Sequence, residues 1–378
     1  MQTDRVERRQ ADATDPGAAW DAFCDSLKRA GDVLRRPSTP GDDLTLAEGH
    51  RFLSRMVRVA LESRLEIGDP LRPSLQPMVG PTLQYEGVTS DARYLNGYID
   101  GSRNYTITGS RGGAPLFEVG VYTGKQGLFE PSHLISSITE ETLELGSGGS
   151  VEVFVGPDPH PGNWIQTDSS ARYLMIRQYA ADWAGLEEGR FTIEEETGVG
   201  KDAQPTMEAI CAGLEAASDF VVNASQFWGG LSDYWAGLSA NQFLAESDAD
   251  ARTEVAPPSG HQFSCGYFRL EPDEALMIEF HPGEAGGAGF WSLGLANYWY
   301  ETVGYGDPDS HLNSGRATCE PDGSVRAVIS QRLTGAPNWI DPKGHREGTM
   351  VFRWSRSKSP VPKIGCTLVK LGDKGDLA

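Results

Sequence analysis

His345, Arg346 and Glu347 stand together in one glycine-bounded stretch, Gly344-His-Arg-Glu-Gly348. A histidine near a carboxylate can act as a general base, and near an arginine it can hold an anion. His345 and Glu347 are therefore the candidate catalytic residues. The competing reading is a loop histidine that caps the entry to the next strand. Glu279-Phe280-His281 alternates, so on a strand Glu279 and His281 would share a face and could supply two ligands of a metal site. No third ligand is identifiable and His281 opens a Pro-Gly turn, so no metal is expected. Glu48, His50 and Arg51 read as helical, with Glu48 and Arg51 spaced to pair with each other. Asp158 and His160, in a proline-rich loop, are one isolated pair. No serine sits in a G-x-S-x-G elbow and no cysteine has a nucleophile's context. Gly146-Ser-Gly-Gly149 lacks the Lys-Ser/Thr end of a P-loop, and no G-x-G-x-x-G follows a strand. No cofactor is expected.

The frame that positions these residues is repeated. Gly112-Gly-Ala-Pro-Leu-Phe-Glu-Val-Gly-Val121 aligns with Gly286-Gly-Ala-Gly-Phe-Trp-Ser-Leu-Gly-Leu295, and Gly149-Ser-Val151 with Gly323-Ser-Val325, both at an offset of 174. Pro161-Gly-Asn-Trp-Ile165 follows against Ala336-Pro-Asn-Trp-Ile340 at 175, and Arg177 against Arg353 at 176. Loop insertions cause such drift, and four landmarks in order argue for an internal duplication. In each copy Asn can close an Asx turn, Trp can cover a core end, and Arg can lie across the ring or pair with a carboxylate. Presence in both copies favours a structural role for the Asn-Trp pair. His345 has no counterpart among Thr167–Ser170, which makes it the sharper functional candidate. A pocket, if present, is expected to be lined by His345, Arg353, Asn338 and Trp339, with Arg177 or Trp299 reaching it.

Apolar stripes at helical spacing run through Trp20, Phe23, Cys24, Leu27, Val33 and Leu34, and again through Phe52, Leu53, Met56, Val57, Ala60 and Leu61. Strands are expected at Tyr105–Thr108, Leu116–Tyr122, Val151–Val155 and Tyr173–Tyr179. Met207–Phe243 reads as two or three helices broken at Gly213 and Gly229-Gly230. Strand texture returns from Phe263 to Leu368. The regions are therefore 1–15, a disordered tail; 16–82, helical; 83–183, a first β unit; 184–260, helical with a linker; 261–370, a second β unit; and 371–378, a tail. The helical segments are expected to pack against the β units.

Among 378 residues, 33 are basic and 53 acidic, a net charge of −20. Such a field opposes binding to nucleic acid or to anionic lipid. There is no signal-peptide layout and no apolar run long enough to span a membrane. Five widely spaced cysteines without a C-x-x-C pair suit reduced thiols in a cytoplasm.

Phe290-Trp-Ser-Leu, Asn297-Tyr-Trp-Tyr-Glu-Thr, Leu312-Asn313, Pro321-Asp-Gly-Ser-Val-Arg326, Asn338-Trp-Ile-Asp and Gly344-His-Arg-Glu-Gly348 resemble a bacterial family, domain of unknown function 1214. The segment Trp20 to Arg55, with Ala47-Glu-Gly-His-Arg-Phe-Leu53, resembles its N-terminal regions. Where the family has an Asp-Pro-Gly before Asn-Trp, this chain has Leu333-Thr-Gly-Ala-Pro337. The resemblance implies a jelly-roll-like β-sandwich region with a helical region, and no reaction. The expected fold class is α+β: two duplicated jelly-roll-like β-sandwich units, each preceded by a helical segment. Three functions fit: an enzyme on a small organic, sugar-like or lipid-like substrate at the second β unit; a non-catalytic small-ligand binder with an aromatic cleft; and a scaffold that self-associates through its β faces.

Overall fold

The computed structural model describes residues 16–124, 132–200, 204–238, 240–244, 260–283, 289–356 and 360–372. The tail expected over 1–15 lies outside them. Helix α1 (Pro16–Ala30) runs into a 3-10 turn ending at Arg35. Helix α2 (Asp43–Leu61) starts where the Asp42 carboxylate accepts from the Thr45 amide at 2.9 Å, satisfying one orphan N–H of its first turn. It buries Phe52, Met56, Val59 and Ala60 and ends in a π-turn, Glu62–Glu66. Helix α3 (Met207–Leu238) is one element of 32 residues, not two or three. Its glycines mark close approach rather than breaks. A Cβ on Gly213 would lie 2.5 Å from Leu65, and one on Gly229 2.8 Å from Val33.

The first β unit contains β1 (Ala92–Tyr98), β2 (Tyr105–Ser110), β3 (Leu116–Thr123), β4 (Leu134–Thr139), β5 (Ser150–Gly156), β6 (Trp164–Gln166), β7 (Ala171–Tyr179) and β8 (Arg190–Glu195). After the short β9 (Gln242–Phe243), the second contains β10 (His261–Arg269), β11 (Glu274–Phe280), β12 (Phe290–Ala296), β13 (His311–Asn313), β14 (Val325–Ser330), β15 (Trp339–Ile340), β16 (Glu347–Ser355) and β17 (Gly365–Lys370). Strand order is β1-β7-β3-β4 and β6-β5-β2-β8 in the first unit, and β10-β16-β12-β13 and β15-β14-β11-β17 in the second. The two sets correspond position by position, down to one parallel pair in each, β5 with β6 and β14 with β15. The stretch after Trp183, expected to be helical, first forms β8. Phe191, Ile193 and Glu195 alternate inward there and complete the first unit's outer sheet against β2.

Each unit is a sandwich with its own core. Ile107, Val119, Val153, Leu174 and Ile176 fill the first, and Leu276, Ile278, Leu293, Ile329 and Phe352 the second. The first unit's outer sheet alternates in burial because one face meets water. The inner sheets are buried almost throughout, as β7 and β16 show. Their second faces meet each other near Ala92, Tyr179 and Phe290. Farther along they are covered by the helices, in a core that joins Phe52, Phe220 and Trp235 to Tyr122, Tyr173, Tyr267 and Trp299.

Candidate functional site at the junction of the β units

The repeated Asn-Trp pair makes equivalent backbone contacts in both units. Asn163 Nδ2 donates to the carbonyls of Glu144 and Glu152 at 2.8 and 2.9 Å, and its Oδ1 accepts from the Glu144 amide at 2.8 Å. Asn338 repeats this with the Thr318 and Arg326 carbonyls at 2.8 and 2.9 Å and the Thr318 amide at 2.8 Å. Trp164 Nε1 donates to the Gly156 carbonyl at 3.1 Å, and Trp339 Nε1 to that of Ser330 at 3.2 Å. Of the residues expected to line a pocket, Asn338 thus has its amide engaged by backbone, and the Trp339 N–H has backbone and hydroxyl partners.

His345 is buried in the turn between β15 and β16. Its Nδ1 lies 2.7 Å from the Pro342 carbonyl oxygen and its Nε2 2.9 Å from Glu48 Oε2. Glu48 also accepts from Asn297 Nδ2 at 2.8 Å and, as its spacing suggested, from Arg51 at 3.1 Å. Burial pushes His345 toward neutrality, yet the Glu48 carboxylate outweighs it and holds the imidazole above its ordinary value. Burial likewise opposes charge on Glu48, but His345 and Asn297 hold that carboxyl below the ordinary range. Beside them, buried Glu301 pairs with Arg55. Trp299 is fully buried, donates to the Thr45 carbonyl at 2.7 Å and stacks on Phe52 with ring centres 5.6 Å apart. Thr45, Glu48, Phe52 and Arg55 follow helical spacing, so one face of α2 is docked onto residues 297–301 and 345.

Glu347 belongs elsewhere. It accepts from Arg269 Nε at 2.9 Å and from the Tyr267 hydroxyl at 3.2 Å, while Arg346 pairs with exposed Glu271. The catalytic pair expected from sequence is thus divided: His345 lies in the turn before β16 and reaches Glu48, whereas Glu347 is the first residue of that strand and lies against Arg269 and Tyr267. The open groove of about 700 Å³ along α2 (Ser54, Val57, Leu61, Ile67, Gln76) does not include His345. Glu279 pairs with Arg326 at 2.6 Å, and His281 Nε2 faces the Asp322 carbonyl at 2.9 Å. Among the described residues, no group of three or more His, Cys, Asp or Glu could hold a metal ion.

Arg177 and Arg353, by contrast, are brought to the same junction on facing inner sheets. Arg177 pairs in register with Tyr94 and Glu118, and Arg353 with Phe263 and Ser292. Arg177 donates to the Tyr122 hydroxyl at 2.5 Å and lies 3.9 Å from Glu118. Arg353 has a serine where Arg177 has Glu118, and donates to the Gly87 carbonyl instead. Glu118 is shared with Arg356 of the second unit at 3.2 Å, and Arg356 also holds Glu140 at 3.1 Å. Arg353 borders a cavity of about 10 Å³ with Thr89, Ser90, Thr302 and His311. That is room for about one water-sized sphere.

Two further histidines stand at this junction. His311 Nε2 lies 3.2 Å from Asp91 Oδ1 and its Nδ1 3.1 Å from the Asp307 carbonyl oxygen. Asp91 also accepts from Asn313 at 2.7 Å. His261 is 4% exposed; its Nδ1 meets Ser355 Oγ at 2.7 Å, and its Nε2 has no partner. Ser292 Oγ, on the same sheet face, is likewise buried without one. Burial, then the charges of Arg356, Arg177 and Arg353, hold His261 well below the ordinary histidine value, so the ring is neutral. Sequence reasoning missed Glu118, His261, His311 and Arg356. One signal was available: the repeat aligns Glu118, a carboxylate within an apolar strand, with Ser292.

Residues 89–182 match the sequence model of a family described as protein of unknown function (DUF1214). The resemblance to that family is shown on the first β unit, whereas the residues carrying it in the sequence lie mainly in the second half. A solved structure of an uncharacterized protein from Burkholderia cenocepacia is similar at 28% identity and a TM-score of 0.86, covering 94% of this chain and 97% of that one. A protein from Vibrio parahaemolyticus aligns at 11% identity and a TM-score of 0.44, over 90% of this chain and 100% of that one, too distant to support an argument. No curated protein matches. Among the described residues no helix is long and apolar enough to cross a membrane.

Proposed function

We propose that this protein binds a small anionic organic ligand, without catalysis, at the junction of its two inner sheets, which must part to admit it because the cavity beside Arg353 holds about one water-sized sphere. The observation that supports this most is His261: a neutral, buried imidazole whose Nε2 lacks a partner, close enough to Arg177, Arg353 and Arg356 for all three to depress its charge. Leaving a buried polar atom unpaired costs about 1–3 kcal/mol, so a ligand that pairs with it gains that much in selectivity. Carboxylates and phosphates match guanidinium groups geometrically. An enzyme at the second unit would need His345 and Glu347 on one substrate, and these residues engage different partners. Nor is a thiol nucleophile favoured, since burial pushes Cys265 up to about 11.

The matching strand orders and the twin Asn-Trp anchors support an origin of the two units by duplication of one ancestor. Five unpaired cysteines favour a reducing cytoplasm. The net negative charge disfavours nucleic acid and anionic membranes as partners.

Thermal denaturation with a panel of small mono-, di- and tricarboxylates and phosphate esters tests the proposal. One class should raise the midpoint of the native chain and not that of His261→Phe. Equal shifts in both, or none in either, would leave the scaffold reading.

A further inference from the structure

We propose that the bridge His345–Glu48 is a proton-dependent latch that fastens the second β unit to α2, beside a second bridge between the same halves, His311–Asp91. Each ring meets an acceptor at both nitrogens. Nδ1 faces a main-chain carbonyl, Pro342 at 2.7 Å or Asp307 at 3.1 Å, and Nε2 faces a carboxylate, Glu48 at 2.9 Å or Asp91 at 3.2 Å. Carbonyls and ionised carboxylates only accept, and a neutral imidazole carries one N–H. Only the imidazolium satisfies both partners. Loss of its proton sets a lone pair against an oxygen and removes a charge-assisted bond.

Both histidines belong to the second unit, His311 at the start of β13 and His345 in the turn before β16. Both carboxylates belong to the N-terminal half, Glu48 on α2 and Asp91 immediately before β1. The latch therefore holds two separate elements. Around His345 stand Glu48, Arg51, Asn297, Glu301 and Arg55, with Asp42 acting at longer range. Around His311 stand Asp91 and Asp307, with Arg316 donating to the His311 carbonyl, Arg353 across the small cavity, and Lys343 on Asp307. The direction of the His345 shift agrees with this geometry. His261, buried to a similar degree but set among arginines, is shifted the other way, so the direction at His345 follows from its partners and not from burial alone.

The sign is fixed by linkage. A histidine raised in the folded state contributes fully below its unfolded value of about 6.5, and that contribution fades as pH rises through the folded value. The latch is closed in mild acid and loosens in base. The test is NMR of the full chain with ¹⁵N-labelled histidine from pH 5.5 to 9, beside hydrogen exchange of α2 and residues 87–96 corrected for intrinsic rates. His345 should be doubly protonated at pH 6. Opening of α2 should increase roughly tenfold for each pH unit by which the folded His345 value exceeds the unfolded one. In the His345→Gln variant that pH dependence should vanish. A neutral His345 ring at pH 6, or wild-type opening of α2 that does not change with pH, would overturn the proposal. The wild-type titration decides the matter even if the variant fails to fold. Ligand binding is not a readout, so failure here is separable from failure of the binding proposal.

Discussion

Asn163 and Asn338, 175 residues apart, make the same three hydrogen bonds to the backbones of their own units. Each side chain ties a loop to the start of a parallel strand pair. Replacing either by alanine leaves one amide and two carbonyls without their side-chain partner. Asn163→Ala and Asn338→Ala should each cost about 1–3 kcal/mol in urea denaturation. Ligand-induced stabilisation should persist in both. A variant that keeps its stability but loses a ligand effect would return the Asn-Trp pair to a binding role.

Gly49 gives Trp299 its place. A Cβ there would sit 2.5 Å from Cζ2 of fully buried Trp299 and 2.5 Å from Cδ2 of partly buried Leu34. Gly49→Ala should therefore destabilise by roughly 1–3 kcal/mol through overpacking, although alanine favours helix more than glycine does. Thermal unfolding supplies the measurement, and a stabilised variant would refute the docking geometry of α2.

Glu48 supplies the acid limb of stability. Its folded carboxyl is held below the ordinary 4.5, so its contribution is present above that value and is lost as pH falls through the lower, folded one. The stability difference between the native chain and Glu48→Gln should be constant from about pH 5 to 6.5 and should shrink below about pH 4.5. Denaturant melts between pH 3 and 6.5 measure it. A difference that grows in acid would contradict the assignment.

Glu118 is a buried carboxylate shared between units, with Arg177 at 3.9 Å and Arg356 at 3.2 Å. Removing one partner of a buried ion pair typically costs about 3–5 kcal/mol, because the remaining charge is stranded. Arg356→Met should fall in that range, and Glu118→Gln in the same background should restore part of the loss. A double-mutant cycle with no coupling would remove the cross-unit bridge from the account.

How much was legible depended on whether the information was local. The stripe of Phe52 and Met56, the alternation in Val151–Val155 and the spacing of the two Asn-Trp pairs are local patterns, and they gave α2, β5 and the equivalence of the units. Strand β8 was missed because Arg190–Glu195 is short, polar on its outer face and adjacent to a helical stretch. Gly229-Gly230 read as a break because sequence cannot show Val33 lying against that helix. At the site, Arg177 and Arg353 were found through the repeat. His345 stands out in sequence because the first copy of the repeat lacks it, but its partner, Glu48, lies 297 residues away. Glu347, two residues on, is the carboxylate that local sequence offers instead. His261 and His311 carry no local mark: what makes them notable is the charge of residues on other strands.

The binding claim is tested most directly by extracting small molecules from the purified native chain and from His261→Phe, and comparing them by mass spectrometry. A carboxylate- or phosphate-bearing compound recovered near one equivalent from the native chain, and much depleted from the variant, is the expected result. An equal recovery from both proteins, or an extract without such a compound together with no response to the anion panel, would contradict it.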